Sequence, residues 1–490
     1  MSAYTTVIGL EVHVQLSTES KLFCGCSTKF GAEPNTQTCP VCIGMPGTLP
    51  VMNREAFQLS LRTAIALECE IPSFTKWDRK QYYYPDLPKA YQISQYDLPM
   101  SQQGRLAISD PKGAFEPKVV RIRRAHLEED AGKMLHDEKT GKGDSMVDLN
   151  RTGTPLLEIV TEPDLRSSAE ARVLLDELKL LLTYLGVSDC NMQEGSLRVD
   201  ANVNLHVDTA EGKIATPIVE IKNMNSFRAV ERALDYEAER QWCEWQETGR
   251  KLGQAAKQTR GWDDVAGVTR GQRSKEESSD YRYFPDPDLA PVTVDQKQVD
   301  EIRAGLGELP AGLRGRLESE FSLSAYDADV LVNQGRAVTD YYLTVAQGSG
   351  DGKAAANWVT QDVLRLMKEQ SLSIEEVPVS GASLADLIKK VKAGEVPSAR
   401  SREVFQAMAQ SGVDAAAAMQ SIGIAAVDES ELVALCEKLL AANPKTIQDV
   451  KAGKVQAVGG LIGQAKKLNP NIDPTRLREI CLQLIESNYP

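Results

Sequence analysis

The chain has 490 residues, of which 42% are hydrophobic and 26% are charged, and its formal net charge at pH 7 is −13. This length exceeds the size at which a single hydrophobic core stops growing, so we expect two or three domains. The acidic charge argues against a uniform nucleic-acid-binding surface, and no apolar run approaches the ~18 residues of a membrane span.

The first predicted element is a strand from Ile8 to Leu16, along which apolar and polar residues alternate. Glu11, His13 and Gln15 share its polar face, because successive side chains of a strand point to opposite faces. The carboxylate of Glu11 and the imidazole of His13 then stand ~7 Å apart. With carboxylates from other elements, this pair can bind a divalent cation. A solvated polar face is the alternative.

Four cysteines follow in two close pairs, Cys24-x-Cys26 and Cys39-Pro-Val-Cys42. Two short-spaced thiolate pairs can complete a tetrahedral S4 site, and the neighbouring glycines and prolines favour tight turns. The alternatives are two disulfides or four ordinary buried cysteines, but the other cysteines are scattered singly, and the odd total of 9 is typical of reduced cytosolic thiols. The pattern predicts a structural zinc knuckle in a cytoplasmic protein.

Further along, residues 79–89 and 280–289 both combine basic residues, aromatic rings and prolines. Such residues can stack bases and hold phosphates, or they can close the edge of a core. We expect the two segments to form walls of one cleft. The run His126–Lys133 then supplies three consecutive acids, and Asp148 follows. Alone this run would be a solvated turn, but with the first strand it predicts a Mg²⁺ site.

A second alternating strand runs from Ser196 to Val207 and carries Arg, Asp and Asn on its polar face, which favours the wall of a polar cavity. Beyond Leu313 the spacing of apolar residues becomes helical. Prolines at Asn443-Pro444 and Asp473-Pro474 predict helix starts in a basic tail. We therefore expect a strand-rich domain over 1–295, a helical domain over 296–424 and a small helical tail over 425–490.

The chain has no G-x-x-x-x-G-K-[ST], no G-x-G-x-x-G after a strand and no G-x-S-x-G. Nucleotide binding through a P-loop or a Rossmann turn and amidase chemistry through a serine elbow are therefore not predicted. The motifs that are present resemble the B subunit of the tRNA-dependent aspartyl/glutamyl-tRNA amidotransferases, and they occur in the order of that family. They are GLEVHVQL (9–16), KLFC (21–24), QYYYPDLPKAYQISQ (81–95), HLEEDAGK (126–133), NRTGTPLLEIVTEPD (150–164), EGSLRVDAN (194–202) and EIKN (220–223).

The resemblance implies an α+β protein of the bacterial type. A β-rich cradle with an antiparallel sheet and the zinc knuckle would be followed by a helical domain and a YqeY-like tail that binds tRNA. It also implies the reaction, in which ATP phosphorylates the side-chain carboxylate of Glu-tRNA(Gln) or Asp-tRNA(Asn) and ammonia then displaces the phosphate. The expected cofactors are Mg²⁺, ATP as substrate, and structural Zn²⁺. The expected partners are the amidase A subunit, the small C subunit, the misacylated tRNA and the matching aminoacyl-tRNA synthetase.

Matched by motif, the best metal ligands would be Glu11, His13 and Glu129, followed by Glu128 and Asp148. Lys80 and Lys89 would contact phosphate or line an ammonia channel, and Cys24, Cys26, Cys39 and Cys42 would hold zinc. Two readings of another class remain open. One is a zinc-stabilised tRNA-binding scaffold without chemistry, and the other is a metal-dependent phosphohydrolase that acts without tRNA.

Overall fold

The computed structural model describes residues 4–136, 145–210, 212–272, 281–424, 429–469 and 471–488. The chain divides into two compact units, Met1–Pro310 and Ala311–Pro490. None of the helices in these described segments is both long enough and apolar enough to cross a membrane.

The first unit is built mainly from strands. They are β1 (Tyr4–Gln15), β2 (Phe74–Thr75), β3 (Asp78–Gln81), β4 (Tyr91–Ser94), β5 (Gln102–Ile108), β6 (Lys118–Glu129), β7 (Lys133–His136), β8 (Ser145–Asp148), β9 (Pro155–Thr161), β10 (Leu197–Thr209), β11 (Gly212–Ala215), β12 (Val219–Lys222), β13 (Gln258–Asp263), β14 (Val268–Gly271), β15 (Phe284–Pro285) and β16 (Val292–Thr293). The unit's helices are α1 (Arg54–Ala66), α2 (Ser168–Tyr184), α3 (Phe227–Thr248) and α4 (Gln296–Gly305).

Nine of the strands form one sheet in the order β14-β13-β12-β10-β1-β9-β6-β5, with β11 paired to β10. Among the described strands of this sheet, only the β12–β13 pair is parallel. The long strands β1 and β10 lie at the centre in antiparallel register, from Tyr4 opposite Val207 to Val14 opposite Leu197. The predicted antiparallel sheet is therefore present, and it is followed by helices, which confirms the mixed α+β class.

One face of this sheet is apolar and packs against helices, while the other is polar. Ile8, Leu10, Val12 and Val14 of β1 are fully buried in a core shared with α1, α2 and α3. Because the side-chain period of a strand is two, the residues between them point the other way. The polar face is thus available for a site.

β6 changes its inward-facing residues partway along. Val120 and Ile122 are buried, and beyond a register shift between Ile122 and Arg124 the core residues are Ala125 and Leu127. The extra residue of such a bulge moves every later side chain to the opposite face.

The smaller sheets flank this large one. β15 and β4 pair with β3, β16 pairs with β2, and β7 pairs with β8. Helix α4 belongs to the first unit, since Val299 lies in the core of that unit. The boundary between the units therefore lies after α4, later than the expected division at residue 295.

The second unit is helical. Its α-helices are α5 (Pro310–Phe321), α6 (Ala325–Val332), α7 (Arg336–Ser349), α8 (Gly352–Trp358), α9 (Leu364–Gln370), α10 (Gly381–Lys392), α11 (Ser401–Ser411), α12 (Ala415–Ser421), α13 (Glu429–Ala442), α14 (Pro444–Lys451), α15 (Gly459–Leu468) and α16 (Pro474–Asn488). Its short 3₁₀ and π turns are Val359–Val363, Ile374–Glu376, Ser398–Arg400 and Val455–Val458.

The last four helices have a hydrophobic core of their own, which runs from Leu432 to Ile485. The two predicted helix starts are confirmed, because α14 begins at Pro444 and α16 at Pro474. Proline fits the first helical position because a backbone N–H there would have no acceptor within the helix.

Candidate active site

Three neighbouring strands bring two histidines and a carboxylate into one row. His13 of β1 lies opposite Glu158 of β9, and Glu158 lies opposite His126 of β6. The Glu158 carboxylate is 3.7 Å from Nε2 of His13 and 3.4 Å from Nε2 of His126. Burial opposes its ionisation, but the two imidazoles and Lys80 hold the pKa of Glu158 well below its usual range. The carboxylate is therefore ionised at neutral pH.

Glu128, at the end of β6, completes this group. Its carboxylate is 4.0 Å from Nε2 of His13 and accepts a hydrogen bond of 3.4 Å from the Ser94 hydroxyl. His13, Glu128 and Glu158 each offer a ligand atom within 4.8 Å of the others. Two carboxylates suit a hard cation such as Mg²⁺, and the imidazole adds a nitrogen donor. We call these three residues the first acidic group.

Lys80 of β3 brings a positive charge to the same place. Burial alone would lower the pKa of Lys80, but the carboxylates of Glu128 and Glu158 raise it overall. Its ammonium nitrogen lies 5.1 Å from the ring centroid of Tyr281. The ammonium therefore stays charged at neutral pH.

A second acidic group lies on the same face of the sheet. Glu11 of β1, Asp200 of β10 and Glu220 of β12 offer carboxylate oxygens within 4.8 Å of one another. Lys222 already contacts Asp200 at 2.6 Å and Glu220 at 3.5 Å. Lys80 forms no such ion pair with Glu128 or Glu158, so the first acidic group keeps more of its carboxylate oxygens free for a cation.

A cavity of about 390 Å³ opens over this polar face. Its wall includes His13, Lys80, Glu128, Arg198 and Asp200. We call it the catalytic cavity.

Arg198 is held at the edge of this cavity by Asp130. Its Nη2 donates to the Asp130 carboxylate at 2.7 Å, and Gln15 donates to the same carboxylate at 2.8 Å. Despite burial, Arg198 and Arg151 lower the pKa of Asp130. The Nε of Arg198 is buried and has no hydrogen-bond partner among the described residues.

Glu129, expected from its motif to be a leading metal ligand, lies outside both acidic groups. Successive residues of a strand face opposite sides, so Glu129 points away from Glu128. It forms a buried ion pair with Lys89 and accepts a hydrogen bond of 3.0 Å from the backbone N–H of Ile93. Lys89 is thereby held in this buried ion pair, and it does not line the catalytic cavity.

Asp148 also lies outside both groups, at the end of β8. Its carboxylate accepts hydrogen bonds from the backbone N–H groups of Asn35 at 3.1 Å and Asn150 at 2.9 Å. Those contacts fix the loop that follows the first pair of cysteines. The expected ligand set is therefore only partly brought together by the fold.

The four clustered cysteines meet as their spacing predicts. Their sulfur atoms lie within 4.8 Å of one another, and all nine cysteines of the chain are free. The hydrogen bond from Cys24, the backbone of Cys39 and the ammonium of buried Lys21 lower the pKa of Cys42. The hydrogen bond to Cys42 raises the pKa of Cys24, and burial raises the pKa of Cys26 to about 11, so Cys42 is the thiolate favoured before a metal binds. Four sulfur donors at this separation fit zinc.

The two aromatic segments also meet, as expected for two walls of one cleft. Phe284 of β15 pairs with Arg79 of β3, and Arg79 donates to Asp286 at 2.7 Å. Tyr96 and Tyr283 stack with ring centroids 4.1 Å apart.

Comparison with known proteins agrees with this architecture. Residues 6–300 match the family model described as the GatB/GatE catalytic domain, and residues 340–485 match the model described as the GatB domain. The first unit is therefore a catalytic domain of the GatB/GatE class.

Full-length relatives narrow this class. The chain is 58% identical to the B subunit of the aspartyl/glutamyl-tRNA(Asn/Gln) amidotransferase of Rhodopirellula baltica, over 98% of this chain and 97% of that protein. It is 46% identical to the protein of the same name from Moorella thermoacetica, over 97% and 99% of the two chains. The chain belongs to the family of aspartyl/glutamyl-tRNA(Asn/Gln) amidotransferase B subunits, which confirms the resemblance found in the sequence.

Sequence reasoning missed two members of the central row, Glu158 and His126. Glu158 is a single acid in the apolar run from Pro155 to Val160, and that isolation was the available signal. A charged residue in a buried strand needs a partner of opposite charge or a hydrogen-bond donor, and His13 and His126 are the partners of Glu158.

Proposed function

We propose that this chain is the subunit that activates and amidates the side-chain carboxylate of Glu-tRNA(Gln) or Asp-tRNA(Asn). A carboxylate oxygen is a poor leaving group. ATP therefore first transfers its terminal phosphoryl group to the carboxylate, giving an acyl phosphate and ADP. Ammonia then attacks the acyl carbon and releases phosphate, leaving the amide.

The observation that carries this proposal is the first acidic group beside Lys80 in the catalytic cavity. Its donor set fits Mg²⁺, which His13, Glu128 and Glu158 would hold, with Glu11, Asp200 and Glu220 as a second set. When bound, Mg²⁺ supplies neutralisation of charge on the phosphates of ATP. Glu129 and Lys89 support the end of β6 in this proposal, and Asp148 supports the cysteine loop.

Three cations of the chain face the same cavity and suit phosphoryl oxygens. Lys80 lies beside the first acidic group, Lys222 beside the second, and Arg198 lines the same cavity beside Asp130. Charges that the fold already holds in place stabilise developing charge without reorganising. We assign phosphoryl binding to these three residues.

The ammonia comes from outside this chain in our proposal, since the sequence has no G-x-S-x-G elbow. The partner amidase hydrolyses glutamine, a small third protein joins the complex, and the matching synthetase supplies the misacylated tRNA. The tail contacts tRNA through phosphates, with the exposed Lys466 and Lys467 of α15 as its contacts. The cysteine group holds a structural zinc.

The experiment is a parallel assay of the assembled complex with ATP, glutamine and misacylated tRNA. We expect phosphate release and amide formation to require tRNA that carries Glu or Asp, and to stop together when Mg²⁺ is removed. Phosphate release at the same rate without any tRNA would overturn the proposal and favour a phosphohydrolase. Glu-tRNA(Gln) and Asp-tRNA(Asn), assayed separately, show which substrate is used.

A further inference from the structure

A second, basic cavity adjoins the catalytic cavity in the first unit. Its volume is about 620 Å³, and Asn225 lines both cavities. Its walls are α2, the loop that precedes β10 and the start of α3. The two cavities therefore share a wall at Asn225.

Three cations converge on this basic cavity. Arg172 and Lys179 are seven residues apart on α2 and so share one face of that helix, while Arg228 comes from α3. Arg172 is paired with Asp176 at 2.7 Å, and its guanidinium carbon is 5.6 Å from the ring centroid of Phe227. Lys179 and Arg228 are exposed, and no described residue forms an ion pair with either.

The lining of the basic cavity carries little negative charge. Asp189 is the carboxylate among the lining residues, and it already accepts hydrogen bonds from the Ser196 hydroxyl and from the backbone N–H of Asn191. In the catalytic cavity Lys222 and Arg198 are each held by a carboxylate, and Lys80 lies near the negative charges of Glu128 and Glu158. On a chain with a net charge of −13, two unpaired cations at an open cavity attract an anion locally.

We propose that the basic cavity binds the phosphodiester groups of the acceptor strand of the aminoacyl-tRNA. The proposal rests on the proposed function, which brings the aminoacyl end of that strand into the catalytic cavity. Few covalent bonds separate the last phosphates of the strand from the reacting carboxylate. When the carboxylate is in the catalytic cavity, these phosphates must therefore lie next to that cavity. A positively charged groove is the usual way to hold a single-stranded backbone.

The phosphates of ATP are the alternative anionic ligand for the basic cavity. They must reach the first acidic group for phosphoryl transfer, and His13 and Glu128 of that group line the catalytic cavity, whereas none of its three members lines the basic cavity. We therefore favour the tRNA strand, and separate titrations of the two substrates distinguish them.

The test uses the assembled complex carrying Lys179→Ala together with Arg228→Ala. We expect KM for misacylated tRNA to rise about 10-fold, while kcat at saturating tRNA and KM for ATP stay unchanged. The slope of log(kcat/KM) for tRNA against log salt concentration should become shallower by about 1.4, or ~0.7 for each phosphate of a single strand that is no longer neutralised. The charge-conserving variant Lys179→Arg with Arg228→Lys should keep most of the affinity.

The matched control is Lys213→Ala, which removes an exposed lysine from β11, near the other end of β10. It should change none of these quantities. An unchanged KM and salt slope for tRNA in the double variant would overturn the inference, and a rise in KM for ATP alone would reassign the cavity to the nucleotide. Failure of the proposed function is distinct, because the unaltered complex would then show no tRNA-dependent phosphate release.

Discussion

His13 and Glu158 stand opposite each other on β1 and β9, with 3.7 Å between Nε2 and the nearer carboxylate oxygen. The same carboxylate lies 3.4 Å from Nε2 of His126, so one acid joins two imidazoles across three strands. A ligand set built on the centre of a sheet is rigid, because each strand is hydrogen-bonded on both sides. Substitutions within this row should therefore alter cation binding more than they alter the fold.

The neighbours Glu128 and Glu129 should respond differently to replacement by glutamine. Glu128→Gln removes a charge from the first acidic group, so the Mg²⁺ concentration for half-maximal tRNA-dependent phosphate release should rise about 10-fold or more. Glu129→Gln leaves Lys89 buried without its counter-ion, so the free energy of unfolding should fall by about 3 kcal/mol. Glutaminase activity of the partner should survive in both variants. A raised Mg²⁺ requirement confined to Glu129→Gln would reverse the assignment.

Lys80→Gln should lower kcat for phosphate release about 100-fold, because a fixed charge facing the phosphoryl group is lost. The Mg²⁺ requirement should change little, since the first acidic group remains, and Lys80→Arg should recover part of the rate. Lys76→Gln is the control, as Lys76 pairs with Asp78 and Asp97 and does not line the catalytic cavity. An equal fall in kcat in Lys76→Gln and Lys80→Gln would contradict the assignment, because it would show that the loss of any nearby positive charge slows phosphate release.

Cys39→Ser should reduce the zinc content of the purified protein and lower its Tm, because metal binding contributes to folding free energy. Elemental analysis and thermal unfolding measure the two effects. Cys243→Ser, at an exposed free cysteine, should change neither. Protein purified without chelator that contains no zinc would contradict the assignment.

Lys466→Ala with Lys467→Ala should weaken tRNA binding without lowering turnover at saturating tRNA. Both lysines are exposed in the last turn of α15, so they are free to contact phosphates. The salt dependence of binding should become shallower by about one unit for each phosphate that is no longer neutralised. Lys438→Ala, at an exposed lysine of α13, is the control. Reduced turnover at saturation with unchanged binding would show that the tail acts in catalysis.

Asp164 should stabilise the protein at neutral pH and cease to do so in acid. Hydrogen bonds from Arg121 at 2.7 and 2.9 Å lower the pKa of Asp164 despite its partial burial. A lowered folded-state pKa gives stability that is present above the unfolded value of ~3.9 and is lost as pH falls through the folded value. The difference in Tm between the wild type and Asp164→Asn should therefore shrink below about pH 4. A constant difference down to pH 2 would contradict it.

Local sequence patterns determined the polar face of β1, the cysteine cluster and two helix starts. The alternation of β1 placed Glu11 and His13 on one polar face, and the spacing of four cysteines predicted that they would meet. Proline positions gave the starts of α14 and α16. These features depend on residues close in sequence, where backbone geometry alone sets the arrangement.

The tertiary structure decided which distant residues share the site. Glu158 joined the first acidic group because β9 lies between β1 and β6, and no local pattern fixes the order of strands in a sheet. The choice between Glu128 and Glu129 depended on the bulge between Ile122 and Arg124, which exchanges the two faces of β6. Alternation in the sequence cannot reveal a bulge, since the extra residue is recognised only against the register of a paired strand.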